Sequence, residues 1–181
     1  MADTDASTDD AATAEEAPPE QAETSHGVPV ETTPAGQVVL HPGRDDLHRV
    51  AHELRDEGYW QCLDLCGVDY LTHPNRPALP IGVQPERFEV VVVLMSHTDR
   101  VRIRLRVQVP EEDATCPSLF AIHPGVEAPE REVFDLFGIS FDGHPDMTRI
   151  LLPEDWNGHP LRKDYASGRM PVQFKTAGTG G

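Results

Sequence analysis

Two apolar runs, Arg87 to Ser96 and Arg100 to Val109, are separated only by His97-Thr98-Asp99. A gap that short predicts an antiparallel β-hairpin, because a crossover between parallel neighbours takes a dozen or more residues. The second run alternates: Val101, Ile103, Leu105, Val107 and Val109 take one face, and Arg100, Arg102, Arg104 and Arg106 the other. A strand half-buried against a core requires that period. The arginine face needs acids, and Glu89 on the first run is a candidate partner across the strands. Docking on an acidic protein would satisfy it equally.

Upstream, Leu47, Val50, Ala51 and Leu54 fall at helical spacing after Arg44 or Asp45, and Gly58 closes the segment. Tyr59 to Leu71 reads as a strand ending near Asp69. Strict alternation puts Trp60, Cys62, Asp64 and Cys66 on one face and Gln61, Leu63, Leu65 and Gly67 on the other. A loop with Pro74, Pro77, Pro80 and Pro85 follows. After Pro110, a short helix is expected over Ser118 to Ile122 and a second over Pro129 to Phe137. In the second, Pro129 suits the first turn and Glu130 and Glu132 suit the positive helix end. Val133, Phe134, Leu136 and Phe137 form its apolar side, and Gly138 ends it. The class is α+β, a mostly antiparallel sheet flanked by helices.

Charge divides the chain. Net charge is −16, yet residues 1–43 hold nine acids and no Lys or Arg, leaving 22 acids against 15 bases beyond them. Residues 1–36 have almost no large apolar side chains and read as a disordered acidic tail. The core domain is expected over 37–138, an extended irregular C-terminal docking arm over 139–175, and a frayed end over 176–181. A net-acidic chain is a poor nucleic-acid binder. No run approaches the ~20 apolar residues that cross a bilayer, and no secretory signal is evident, so a cytoplasmic location is expected. Cys62, Cys66 and Cys116 are too few for a disulfide framework or for an iron–sulfur cluster held by this chain alone, and Cys62 and Cys66, four apart on one strand face, read as buried small hydrophobes.

The segment Glu130 to Tyr165 concentrates charge and turn residues on irregular backbone. Charged and aromatic side chains in such a stretch point to an outside partner that holds them, before they point to an active site. Arg131 and Asp135, four apart, are expected to pair along one helix face. Gly143-His144-Pro145 and Gly158-His159-Pro160 read first as two sharp turns. A metal held by His144 and His159, as in a stand-alone metalloenzyme, is the competing reading. From residue 157 on, Arg162, Lys163, Arg169 and Lys175 face only Asp164, so the arm carries a local positive excess.

The same segment resembles the NuoC (30-kilodalton subunit) family of proton-translocating NADH:quinone oxidoreductase, respiratory complex I. The resemblance rests on Glu130-Arg131-Glu132 with Asp135, Leu136-Phe137-Gly138-Ile139, Gly143-His144-Pro145-Asp146, Arg149-Ile150-Leu151 and Gly158-His159-Pro160-Leu161-Arg162-Lys163-Asp164-Tyr165. It covers roughly residues 38–170. It implies a non-catalytic scaffold subunit of the peripheral arm, on the cytoplasmic side of the cell membrane and attached only through the complex. The D subunit of that complex is the implied main partner, with the B and I subunits and others nearby. FMN, iron–sulfur clusters and quinone would belong to other subunits, with no cofactor in this chain. A related ferredoxin-, F420- or hydrogenase-linked complex would use the same motifs. One departure is Ala128-Pro129, where many relatives have an aromatic pair.

Overall fold

The computed structural model describes residues 22–73 and 75–166. The expected hairpin is present: β5 (Phe88–Ser96) and β6 (Val101–Val109) pair antiparallel from Phe88 opposite Val109 to Ser96 opposite Val101. Phe88, Val90, Val92 and Leu94 share the inner face with Ile103, Leu105, Val107 and Val109, all buried. Arg100 sits in the connecting turn with φ 58°, so the strand's own arginines are Arg102, Arg104 and Arg106.

The other strands build outward from this pair. β4 (Gln61–Asp69) flanks β5, and β3 (Val38–Leu40) lies parallel to β6. With β1 (Thr24–Ser25) and β2 (Val28–Thr32) the order is β1-β2-β3-β6-β5-β4, antiparallel except at β3–β6. Helix α1 (Leu47–Asp56) buries Leu47, Val50, Ala51 and Leu54, the four residues its spacing singled out. Helix α2 (Glu127–Phe137) adds Val133 and Phe137 to the same core, while Phe134 and Leu136 are only half-buried. Each large aliphatic side chain buried there contributes ~1.5–3 kcal/mol. The architecture is α+β, as read.

Order begins earlier than Val38. Residues 22–36, assigned by composition to a disordered tail, carry β1 and β2. Pairing explains this: His26 and Gly27 take positive φ and turn β1 onto β2, Val30 to Thr32 then align with Leu40 to Val38, and Val28 enters the core. The rest of that tail, residues 1–21, lies outside the described residues, as do Arg169, Lys175 and the expected frayed end.

Strand β4 also departs from strict alternation. A β-bulge at Leu63 puts Cys62 opposite Leu94 and Asp64 opposite Val93. One extra residue reverses the faces beyond it. Cys62 therefore points to the core side and Cys66 to the outer side, where Cys66 is exposed. Cys116 alone is fully buried, its thiol pushed up to about 12 by desolvation.

Ser118–Ile122 is a turn, not a helix: the N–H groups of Ile122 and His123 both donate to the Leu119 carbonyl. It follows β7 (Thr115–Pro117), which pairs parallel with β8 (Ser140–Asp142), a short strand at the start of the expected irregular arm. Helix α2 starts at Glu127, two residues before Pro129.

Candidate functional site

Helix α2 organises everything that follows it. Glu130 is fully buried and faces the preceding segment, where its carboxylate accepts the Ser118 hydroxyl (2.6 Å) and the Leu119 N–H (2.7 Å). Those bonds hold the 118–122 turn in place of the expected helix. Burial pushes the Glu130 carboxyl above its ordinary value, with the two hydrogen bonds opposing. Arg131 points toward the following segment: Nε donates to the Thr148 carbonyl (3.1 Å) and Nη2 to Thr148 Oγ1 (2.9 Å) and the Arg149 carbonyl (3.1 Å). Glu132 remains exposed. The Glu-Arg-Glu triplet is thus divided among three surroundings by the 3.6-residue turn of the helix.

The expected Arg131–Asp135 pair does not form, because Asp135 is already committed. Its buried carboxylate accepts Arg149 Nη1 at 2.6 Å and the successive N–H groups of Ile150, Leu151 and Leu152 at 3.1, 2.8 and 2.9 Å. Irregular backbone needs partners for its polar groups, and here one side chain supplies three. Burial by itself would raise this carboxyl, yet the Leu152 N–H, the Arg149 guanidinium and the other two amides hold it below the usual carboxylate range. Arg149 also donates through Nη2 to the Trp156 and Gly158 carbonyls (3.0 and 3.1 Å), closing the loop 150–158.

A helix ends with carbonyls that lack an intrahelical partner. In α2 the arm returns to satisfy them. His159 Nδ1–H donates to the Asp135 carbonyl (3.0 Å), the Leu161 N–H to Leu136 (3.0 Å) and Arg162 Nε to Phe137. Arg149 and Arg162 also place positive charge at the negative end of the helix. Gly138 makes this approach possible: its φ is 73°, and a Cβ there would lie 2.6 Å from the His159 ring and 2.7 Å from Arg162 Nη2. Burial lowers the His159 pKa, the bond to Asp135 raises it, and Arg162 and Arg149 lower it further, with a net fall.

A second anchor lies at the end of β4. Asp69 accepts Arg87 Nη2 at 3.0 Å and the backbone N–H of Lys163 at 2.8 Å, and Arg87 also pairs with Asp164 at 2.8 Å and with Glu111. The Tyr165 ring packs against Gly158, where a Cβ would stand 2.8 Å away. Sequence reasoning passed over Asp69 and Arg87. The available signal was a carboxylate in register with the inward-facing Leu65 and Gly67.

The structure therefore brings Asp135, Arg149, His159 and Arg162 together at the end of α2, and Lys163 and Asp164 at Asp69 and Arg87. This corrects the picture of an arm held only from outside: through residue 165 the domain holds it. Nor is the described arm a positive tongue, since Arg162 turns inward and Asp164 faces Arg87, leaving the Lys163 side chain outward. Ile150, Leu151 and Leu161 are the large aliphatics it turns to solvent, Leu151 at 60% exposure.

The two histidines serve separate turns. His144 Nε2–H donates to the Glu127 carbonyl (3.1 Å) and its Nδ1 accepts the Asp146 N–H (3.0 Å), while His159 caps α2. Among the described residues no group of three or more His, Cys, Asp or Glu side chains is placed to hold a metal ion. No described helix is long and apolar enough to cross a membrane.

Comparison with known proteins matches this geometry to one family. Residues 40–170 match the family described as "Respiratory-chain NADH dehydrogenase, 30 Kd subunit". Over 144 residues the chain is 45% identical to the C subunit of NADH-quinone oxidoreductase from Mycobacterium tuberculosis (strain ATCC 25618 / H37Rv), covering 78% of this chain and 57% of that protein. The corresponding protein of Saccharopolyspora erythraea is 40% identical over 159 residues, covering 83% of this chain and 60% of its own length. The chain thus spans under two thirds of these curated relatives. Among solved structures, the trypsin-resistant fragment (1-134) of Nqo5 superposes with TM-score 0.59 at 36% identity, over 66% of this chain and 89% of that one. A chain of the archaeal membrane-bound sulfane sulfur reductase shares the fold, with TM-score 0.64 at 19% identity over 77% of this chain and 78% of that one. The motifs around α2, the fold and the relatives converge, and the chain belongs to the respiratory-chain NADH dehydrogenase 30 Kd subunit family.

Proposed function

We propose that this chain is a non-catalytic scaffold subunit in the peripheral arm of a proton-translocating NADH:quinone oxidoreductase. The observation that carries the reading is the arm itself: buried carboxylates of the domain fix its backbone, and Ile150, Leu151 and Leu161 are turned outward from it. A rigid loop presenting aliphatics to solvent suits a permanent neighbour, since obligate interfaces are more apolar than ordinary surface. Kinship with the C subunits of NADH-quinone oxidoreductases at 40–45% identity supports the same reading.

In this reading the D subunit is the main neighbour, with the B and I subunits and other peripheral-arm proteins nearby. FMN, iron–sulfur clusters and quinone reside in those other chains, and this chain contributes no active site. It reaches the cytoplasmic side of the cell membrane only through the complex. The fold by itself does not separate this from a related membrane complex, because the sulfane sulfur reductase chain shares it. Sequence identity to the NADH-quinone relatives favours the former.

Native-gel separation of solubilised membranes, followed by identification of this chain's companions, tests the proposal. Co-migration with the NADH-oxidising subunits is expected, and Arg131→Ala is expected to reduce assembled complex more than turnover per complex. Migration of the chain alone would reject the reading.

A further inference from the structure

The face of the sheet turned away from α1 and α2 carries a different pattern. Val91, Val93 and Met95 of β5 run along its centre, each half-buried. Asp64 and Cys66 of β4 flank that strip on one side, and Arg102, Arg104 and Arg106 of β6 on the other. Arg106 is used internally. It pairs with buried Glu89 at 2.8 Å and with Glu31 at 3.4 Å, and Arg76 from the proline-rich loop meets the same Glu89 at 3.3 Å.

Arg102 and Arg104 are left over. They stand opposite Met95 and Val93, and among the described residues neither forms an ion pair. Arg104 Nε is buried without an acceptor among the described residues. Arg100 is exposed in the adjoining turn. Elsewhere Arg44, Arg49, Arg87 and Arg149 each meet an acid of the chain. In a protein of net charge −16, neighbouring arginines that meet no acid among the described residues mark a surface complementary to negative charge. The flat aliphatic strip beside them lacks the aromatic platforms that stack nucleic-acid bases, and it suits a protein surface.

We infer that the outer face of β5 and β6, with Arg102 and Arg104 beside Val91, Val93 and Met95, is a second docking surface whose occupant is an acidic face of a neighbouring subunit. This rests on the proposed subunit role. The surface lies across the sheet from α2, so one domain is gripped from two sides.

The test replaces the native chain by full-length Arg102→Glu/Arg104→Glu and measures its retention in the solubilised complex as salt is raised. Both guanidinium groups lie on the outer face, so the apolar core is untouched and circular dichroism should match the wild type. The expected result is retention about tenfold lower than wild type at the same salt, with Arg102→Lys/Arg104→Lys close to wild type. A folded double-glutamate variant retained like wild type would overturn this inference alone. Absence of the wild-type chain from the complex would overturn the subunit role and this inference with it. If hydrogen exchange shows β6 losing protection when residues 1–21 are deleted, and not when the complex dissociates, the stripe belongs to the chain's own acidic segment and the inference likewise falls.

Discussion

Strand β5 puts Phe88, Val90, Val92 and Leu94 into the core, whereas the arm from His144 to Tyr165 contributes no fully buried aliphatic side chain. The sheet is held by many small apolar increments spread over six strands and two helices. The arm is held by a few polar anchors: Asp135 for the 149–152 segment, the α2 carbonyls for 159–162, and Asp69 with Arg87 for 163–164. Dispersed burial degrades gradually, while a concentrated anchor fails all at once. The difference also leaves the arm's aliphatics free to face a partner, because they are not needed inside.

Asp135→Ala should have the largest effect. Removing one partner of a buried pair leaves the Arg149 guanidinium uncompensated and three backbone N–H groups unsatisfied, a loss of about 3–5 kcal/mol. Hydrogen exchange is expected to show residues 144–165 opening while β5 and β6 stay protected. Loss of both regions together would break the contrast.

Leu105→Ala is the reciprocal substitution, expected to cost about 2–5 kcal/mol in the sheet core. It should lower the global unfolding midpoint in thermal denaturation without first releasing the arm. If arm residues exchanged ahead of the sheet in this variant, the two regions would be more tightly coupled than their anchors imply.

Acid should produce the smallest and most diagnostic change. The Asp135 and Asp69 carboxyls lie below the ordinary value in the folded chain: burial opposes this, but donated hydrogen bonds prevail. As pH falls, the unfolded chain therefore binds protons first. Their contribution is complete above the unfolded value of ~3.9 and is lost as pH falls through the folded values. Glu130 has the opposite sign, since burial raises it: its contribution is complete below ~4.3 and fades as pH rises through its folded value. Trp156 fluorescence in a Trp60→Phe background should report the arm loosening below about pH 4 before far-UV circular dichroism reports the sheet. Asp135→Asn should flatten that early phase.

Much of this was legible in the residues. The hairpin followed from two alternating runs and a three-residue gap, and α1 from four apolar residues at helical spacing. The end of α2 followed from Gly138, and the family from the ordered string of motifs after Glu130. What escaped the reading depended on which chain segments meet. Composition placed Thr24–Thr32 in a tail, yet β-pairing with Val38–Leu40 brings it into the sheet. Spacing paired Arg131 with Asp135, yet a helix-surface pair of a few tenths of a kcal/mol cannot compete with four donors converging on a buried carboxylate.

Periodicity and turn residues are local properties, and so the sequence by itself determined the strands of the hairpin, both helices and the polar character of the arm. The partners of Glu130, Asp135 and Asp69 were decided only by the tertiary structure. A buried carboxylate takes whichever donors the fold brings within hydrogen-bonding distance; apart from the Leu71 N–H at Asp69, two residues away, those donors lie 11 to 94 residues away along the chain.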